Sequence, residues 1–195
     1  MSMSGHYKVT EDMDREALRE ELKVHMHLND EQIDHFMNDP SRSYYAPKFG
    51  DPDKQDWTMV LEVVSTVGCA SGMQVGDKLY FINNCSNLDV RRSSPRWCGQ
   101  ALNKVPQLVA VFHNAIMMGH DPNEGLYHHY VGCGDCGLEW GWGQCHMKAY
   151  CFRESLGEDY CDWASFTADR LAEDVKVNKA MAEKRYEDPR VKAKE

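Results

Sequence analysis

Apolar residues return at helical spacing near the start of the chain. Ala17, Leu18, Leu22 and Met26 share one face and predict a helix over about Asp12 to His27. A second helix is announced by Asn29 as N-cap and Gln32 three residues later, carries Ile33, Phe36 and Met37 on its apolar face, and ends at Asp39-Pro40. The segment SRSYYAPKFGDPDK mixes Pro47, Gly50 and Pro52 with Tyr44, Tyr45 and Phe49, the pattern of an ordered loop lying against a body. The pattern then changes period. Trp57 to Thr66, WTMVLEVVST, is rich in β-branched residues and predicts a largely buried strand, followed by a second strand at Lys78 to Asn83. The connection between them, with Gly72, Gly76 and Asp77, suits a β-hairpin with a long turn.

After a polar stretch, Leu102, Val105, Leu108, Val109, Phe112, Ala115 and Ile116 mark a helical run interrupted by Pro106. Proline is accommodated only in a first turn, so the pattern resolves into a short turn over Cys98 to Lys104 and a main helix from Pro106 to Met118, closed by Gly119. LYHHYV and HMKAYCF predict two further strands, joined by GCGDCGLEWGWGQC. A charged outer helix from Asp159 to about Tyr186, with Ala164, Ala168, Leu171, Val175 and Ala182 in a stripe, completes the chain. The expected architecture is α+β, a small, mainly antiparallel sheet with a packed central helix and helical extensions at both ends. Its parts are an N-terminal helical hairpin over residues 1–40, a connecting loop over 41–56, a cysteine-containing core over 57–157, and a C-terminal helix and charged tail over 158–195.

Composition narrows the function classes. Twenty-two Lys and Arg against 31 Asp and Glu give a net charge of −9 over 195 residues, which disfavours a nucleic-acid surface. No apolar run approaches the ~18 residues of a membrane span. The charged first thirty residues lack the apolar segment of a secretory signal, so a cytoplasmic protein is expected. Its charged helical extensions suit docking onto a protein partner or a second copy of the chain.

The eight cysteines are Cys69, Cys85, Cys98, Cys133, Cys136, Cys145, Cys151 and Cys161. Without a secretory signal they are treated as thiols rather than a disulfide framework. Cys133-Gly-Asp-Cys136 places two sulfurs within reach of one metal ion, and Gly134 and Gly137 permit the bends this requires. Cys133, Cys136, Cys145 and His146 then make a Cys3His set suited to Zn2+; the spacing misses the standard ferredoxin runs, but an iron–sulfur cluster remains an alternative because ligands can come from distant loops. The same Cys-x-x-Cys pair also allows dithiol–disulfide cycling. Cys98 is the candidate nucleophile, because it precedes a helical stretch and follows Arg96, both of which favour a thiolate, with His113 or His120 as candidate bases. Trp140 and Trp142 lie on one side of an extended segment and are candidates for lining an aromatic binding pocket.

The order Cys69, Gly76-Asp77, Pro95-Arg96-Trp97-Cys98 and Cys133-Gly-Asp135 resembles that of a group of short uncharacterised bacterial and archaeal proteins with a Cys, Gly-Asp, Cys, Cys-x-Asp pattern. The similarity covers about Trp57 to Arg153. It implies a compact α+β core in which the fold brings cysteines together, and it adds a second metal set of Cys69, Cys98, Cys133 and Cys136. The leading functional expectation is a metal-binding small subunit or accessory protein of a metabolic enzyme, with Zn2+ or an iron–sulfur cluster as cofactor. The alternatives are a stand-alone enzyme using Cys98 or a metal-bound water, and a thiol redox module.

Overall fold

The computed structural model describes residues 12–164. Helix α1 (Arg15–His25) starts at Asp14, whose side chain accepts the Ala17 N–H, and buries Leu18 and Leu22. Helix α2 (Asp30–Asn38) has a complete capping box: Gln32 N–H donates to the Asn29 side chain at 2.9 Å, and Asn29 N–H donates to the Gln32 side chain at 3.0 Å. Both bonds satisfy donors that a helix start leaves bare. The two helices close over a small core of their own, formed by Leu18, Leu22, Ile33, Met37 and Ala46. Asn29→Ala is expected to lower stability by about 1 kcal/mol, seen as a lower urea midpoint at unchanged slope; an unshifted midpoint would show that the cap contributes nothing.

Residues 41–56 are helical rather than a loop. Helix α3 (Pro40–Tyr45), a 3-10 turn (Ala46–Gly50) and helix α4 (Pro52–Gln55) follow one another. The cause is local, since Asp39 and Asp51 each accept a backbone N–H from the turn they precede and each is followed by a proline already set to helical φ. Asp39-Pro40 therefore ends one helix and begins the next.

Five strands form one antiparallel sheet: β1 (Trp57–Val67), β2 (Lys78–Ile82), β3 (Asn87–Leu88), β4 (Tyr130–Gly132) and β5 (Gln144–Arg153), in the order β3-β2-β1-β5-β4. The fold class is α+β, as the hydrophobic pattern implies. Strand β1 lies at the centre, which is why its pattern is almost continuously apolar. One face carries Met59, Leu61, Val63, Met147 and Ala149 and packs against Leu108, Phe112 and Ile116 of the central helix α6 (Val105–Met117), whose Pro106 sits in the first turn. A short helix, α5 (Gly99–Leu102), precedes it. The opposite face gathers Val60, Tyr150 and Phe152, with Tyr80, Trp163 and Cys161 against them.

Strand β3 was hidden in the polar stretch after β2, because two residues carry no periodicity. At the C-terminal end, Glu158–Tyr160 form a 3-10 turn, and the expected helix beyond residue 164 lies outside the described residues. Among those residues no helix is long and apolar enough to cross a membrane.

Candidate functional site

Four distant chain segments meet where β5 begins. Cys145 is the second residue of the strand and is buried, while Cys69 in the turn after β1, Cys98 before α5 and Cys133 after β4 are half-buried against the same core. Cys133 and Cys145 are tied directly: the Cys133 N–H donates to the Cys145 carbonyl at 2.8 Å, and the Cys145 N–H donates to the Cys133 sulfur at 3.2 Å. A one-residue bulge in β1 between Val63 and Ser65 shifts the register, so that Thr66 stands opposite Cys145. Burial above all, followed by the charges of Cys133, Cys69, Cys98 and Asp77, pushes the Cys145 thiol up to about 12. Cys145 is therefore a neutral thiol.

Cys98 behaves oppositely. Burial raises its thiol, but the polar surroundings supplied by the Ser71 side chain and the backbone N–H groups of Ala101 and Gln100 outweigh that and the opposing charge of Asp135, leaving it below the ordinary thiol value. The two N–H groups belong to the first turn of α5, which has no partner for them within the helix, and Ser71 comes from the turn that also holds Cys69. Arg96, expected to supply the favourable charge, is instead committed to Asp77 at 3.2 Å and to Gln74 at 3.1 Å.

A glycine-rich loop walls the cluster. Asp135 Oδ1 accepts from the N–H groups of Gly137, Trp142 and Gly143 at 3.1, 3.2 and 3.4 Å, and Gly141 N–H donates to Gly137 O at 2.7 Å. These bonds turn the segment rather than extend it, so Trp140 and Trp142 point outward, 81% and 78% exposed, and neither lines a described cavity. Both indoles face solvent here and do not enclose the expected aromatic pocket.

The expected Cys3His set is not assembled either. Cys145 and His146 are successive residues of β5, so their side chains leave opposite faces, one buried and one exposed, while Cys136 is exposed on the loop. Cys136 is likewise not part of the second expected set: the fold brings Cys69, Cys98 and Cys133 around Cys145. Among the described residues, no group of three or more His, Cys, Asp or Glu is arranged to hold a metal ion. His120 lines a separate cavity that does not include Cys98, and no histidine is among the groups shifting Cys98. The chain matches no family model, no curated protein and no solved structure.

Two participants escaped sequence reasoning. Ser71 carries no motif, and only contact across the fold reveals it. Asp135 was legible in principle, because an aspartate directly after a glycine signals side-chain capping of a turn.

Proposed function

We propose that this protein performs nucleophilic thiol chemistry, with Cys98 as the attacking sulfur. What supports the reading is the position of Cys98 as the half-buried N-cap residue of α5, where the Ser71 side chain and the first-turn N–H groups of Gln100 and Ala101 favour the thiolate over the thiol. Cys145 stays protonated and buried beneath it. Cys69 and Cys133, packed against the same core, are the candidate second thiols for an exchange step that would use the cluster as a redox module. Under limiting iodoacetamide near neutral pH, Cys98 is expected to alkylate before the exposed Cys136, with the midpoint of its rate–pH profile below the ordinary thiol value. Ser71→Ala should raise that midpoint and slow the reaction. Faster labelling of Cys136, or a profile that Ser71→Ala leaves unmoved, would sink the assignment.

The convergence of thiols supports a second reading. Cys69, Cys98, Cys133 and Cys145 arrive from four segments, and the charges of the other three disfavour ionisation of Cys145; they are not arranged as a metal site as they stand, so a Zn2+ ion or iron–sulfur cluster would have to draw the four thiolates together on binding. The role would then be that of a small metal-binding subunit docked on a protein partner. Stoichiometric Zn2+ uptake that protects these four cysteines together from alkylation supports this second reading over the first.

A further inference from the structure

A second group of thiols lies elsewhere in the fold. The sulfurs of Cys85 and Cys151 are 3.7 Å apart, and both residues are fully buried. Cys151 stands six positions along β5 from Cys145, about 20 Å away at strand spacing. Its backbone is clamped by Asn123, which accepts the Cys151 N–H at 2.7 Å and donates to the Cys151 carbonyl at 2.9 Å. Cys85 sits differently. Asn83, Asn84 and Cys85 run through three consecutive left-handed conformations, φ 53°, 56° and 62°, which asparagine tolerates but which are unfavourable for Cys85. Asn84 is 2% exposed, and neither its amide nitrogen nor its amide oxygen has a hydrogen-bond partner. A buried, unpartnered amide in a strained turn marks a segment that is over-determined by its surroundings and has another arrangement within reach.

We propose that Cys85 and Cys151 form an oxidisable dithiol that hydroperoxides convert to a disulfide. A disulfide needs the sulfurs at about 2.05 Å, so closure requires the strained turn to move toward the fixed strand by less than 2 Å. In the reaction the two S–H bonds and the peroxide O–O bond break and one S–S bond forms. Each sulfur gives up one electron, and the two hydrogens leave on the reduced oxygens, as two waters when the oxidant is hydrogen peroxide. The route in is a cavity of about 750 Å3 lined by Cys151 together with Trp57, His120, Asp121 and Trp163. Burial, and then Cys85 itself, hold the Cys151 thiol well above its ordinary value, so the pair reacts more slowly than the surface thiols. The product would tie the turn before β3 to the strand beside the centre of the sheet, at the wall of that cavity.

The test is to expose the full chain to graded hydrogen peroxide, block the remaining thiols with N-ethylmaleimide under denaturing conditions, and map unreduced peptides. The expected result is a cross-linked peptide containing Cys85 and Cys151 in more than half of the chains once Cys136 has been consumed, and a free Cys151 thiol in Cys85→Ala. Recovery of both residues as free thiols after Cys136 is oxidised would overturn the proposal, as would a bond from Cys151 to Cys161, whose sulfur already donates to the Cys151 carbonyl at 3.3 Å. The wild-type map decides the question even if Cys85→Ala does not fold.

Discussion

Glu158→Gln is expected to cost about 2 kcal/mol of folding stability at neutral pH, while Glu62→Gln, a few ångströms away, costs nothing or stabilises. Glu158 accepts from Lys78 Nζ at 2.7 Å and Tyr150 Oη at 2.5 Å on one oxygen and from Tyr80 Oη at 2.9 Å on the other. A glutamine removes the negative charge that pairs with Lys78 and leaves one oxygen in place of two to accept from Lys78 and the two tyrosines, so at least one of them must reorient or lose its partner. Burial raises the Glu158 carboxyl, but Lys78 and the two tyrosines outweigh it and hold the group below the ordinary glutamate value. Glu62 has the reverse balance. Burial foremost raises it, Glu158 repels it, and Lys78 at 3.9 Å only partly compensates, so its folded value lies above the ordinary one.

The two residues therefore shape pH dependence with opposite signs. Glu158, lowered on folding, contributes stability that is present above the unfolded value of about 4.3 and lost as pH falls through the folded value. Glu62, raised on folding, contributes stability that is present below the unfolded value and lost as pH rises through its folded value. Urea midpoints measured between about pH 3 and pH 8 check both: Glu158→Gln should flatten the acid limb, and Glu62→Gln should remove a decline toward neutral pH. Equal losses in the two variants would show that the carboxylates are interchangeable, contrary to the geometry.

Gly143→Ala is expected to be the more damaging change, at about 3 kcal/mol. A Cβ at Gly143 would land on the backbone carbonyl of Gly68 and press on that of Val67. Both obstacles are main chain at the end of the β1–β5 ladder, where Val67 pairs with Gln144, so neither yields by a rotamer change. The loop held by Asp135 and the turn carrying Cys69 and Ser71 would be forced apart, and the variant should lose the preferential alkylation of Cys98 along with stability. A variant within about 1 kcal/mol of wild type and with unchanged labelling would show that the close approach is not needed.

Much of the architecture was legible because it depends on local patterns. The capping box at Asn29, the strand at Trp57, the split at Pro106 and the antiparallel α+β class all follow from spacing, caps and β-branched runs. Residues 41–56 read as a loop from sequence because prolines and glycines signal a break, while Asp39-Pro40 and Asp51-Pro52 equally signal a helix start. The expectation for Cys98 at a helix start agrees with its place before α5, although its anionic form is favoured by Ser71 and backbone donors and not by Arg96.

The metal set from Cys133 to His146 shows where the sequence stops being informative. Proximity along the chain suggested four ligands, yet strand alternation sends Cys145 and His146 to opposite faces and loop geometry leaves Cys136 in solvent. By itself the sequence determined the helices, the main strands and the identity of the chemically capable side chains, because caps, periodicity and side-chain chemistry act within a few residues. Only the tertiary structure decided that Cys69, Cys98 and Cys133 surround Cys145, that Cys85 faces Cys151, and that Glu62 and Glu158 titrate in opposite directions. Those outcomes depend on register and on packing between segments tens of residues apart, which no local spacing encodes.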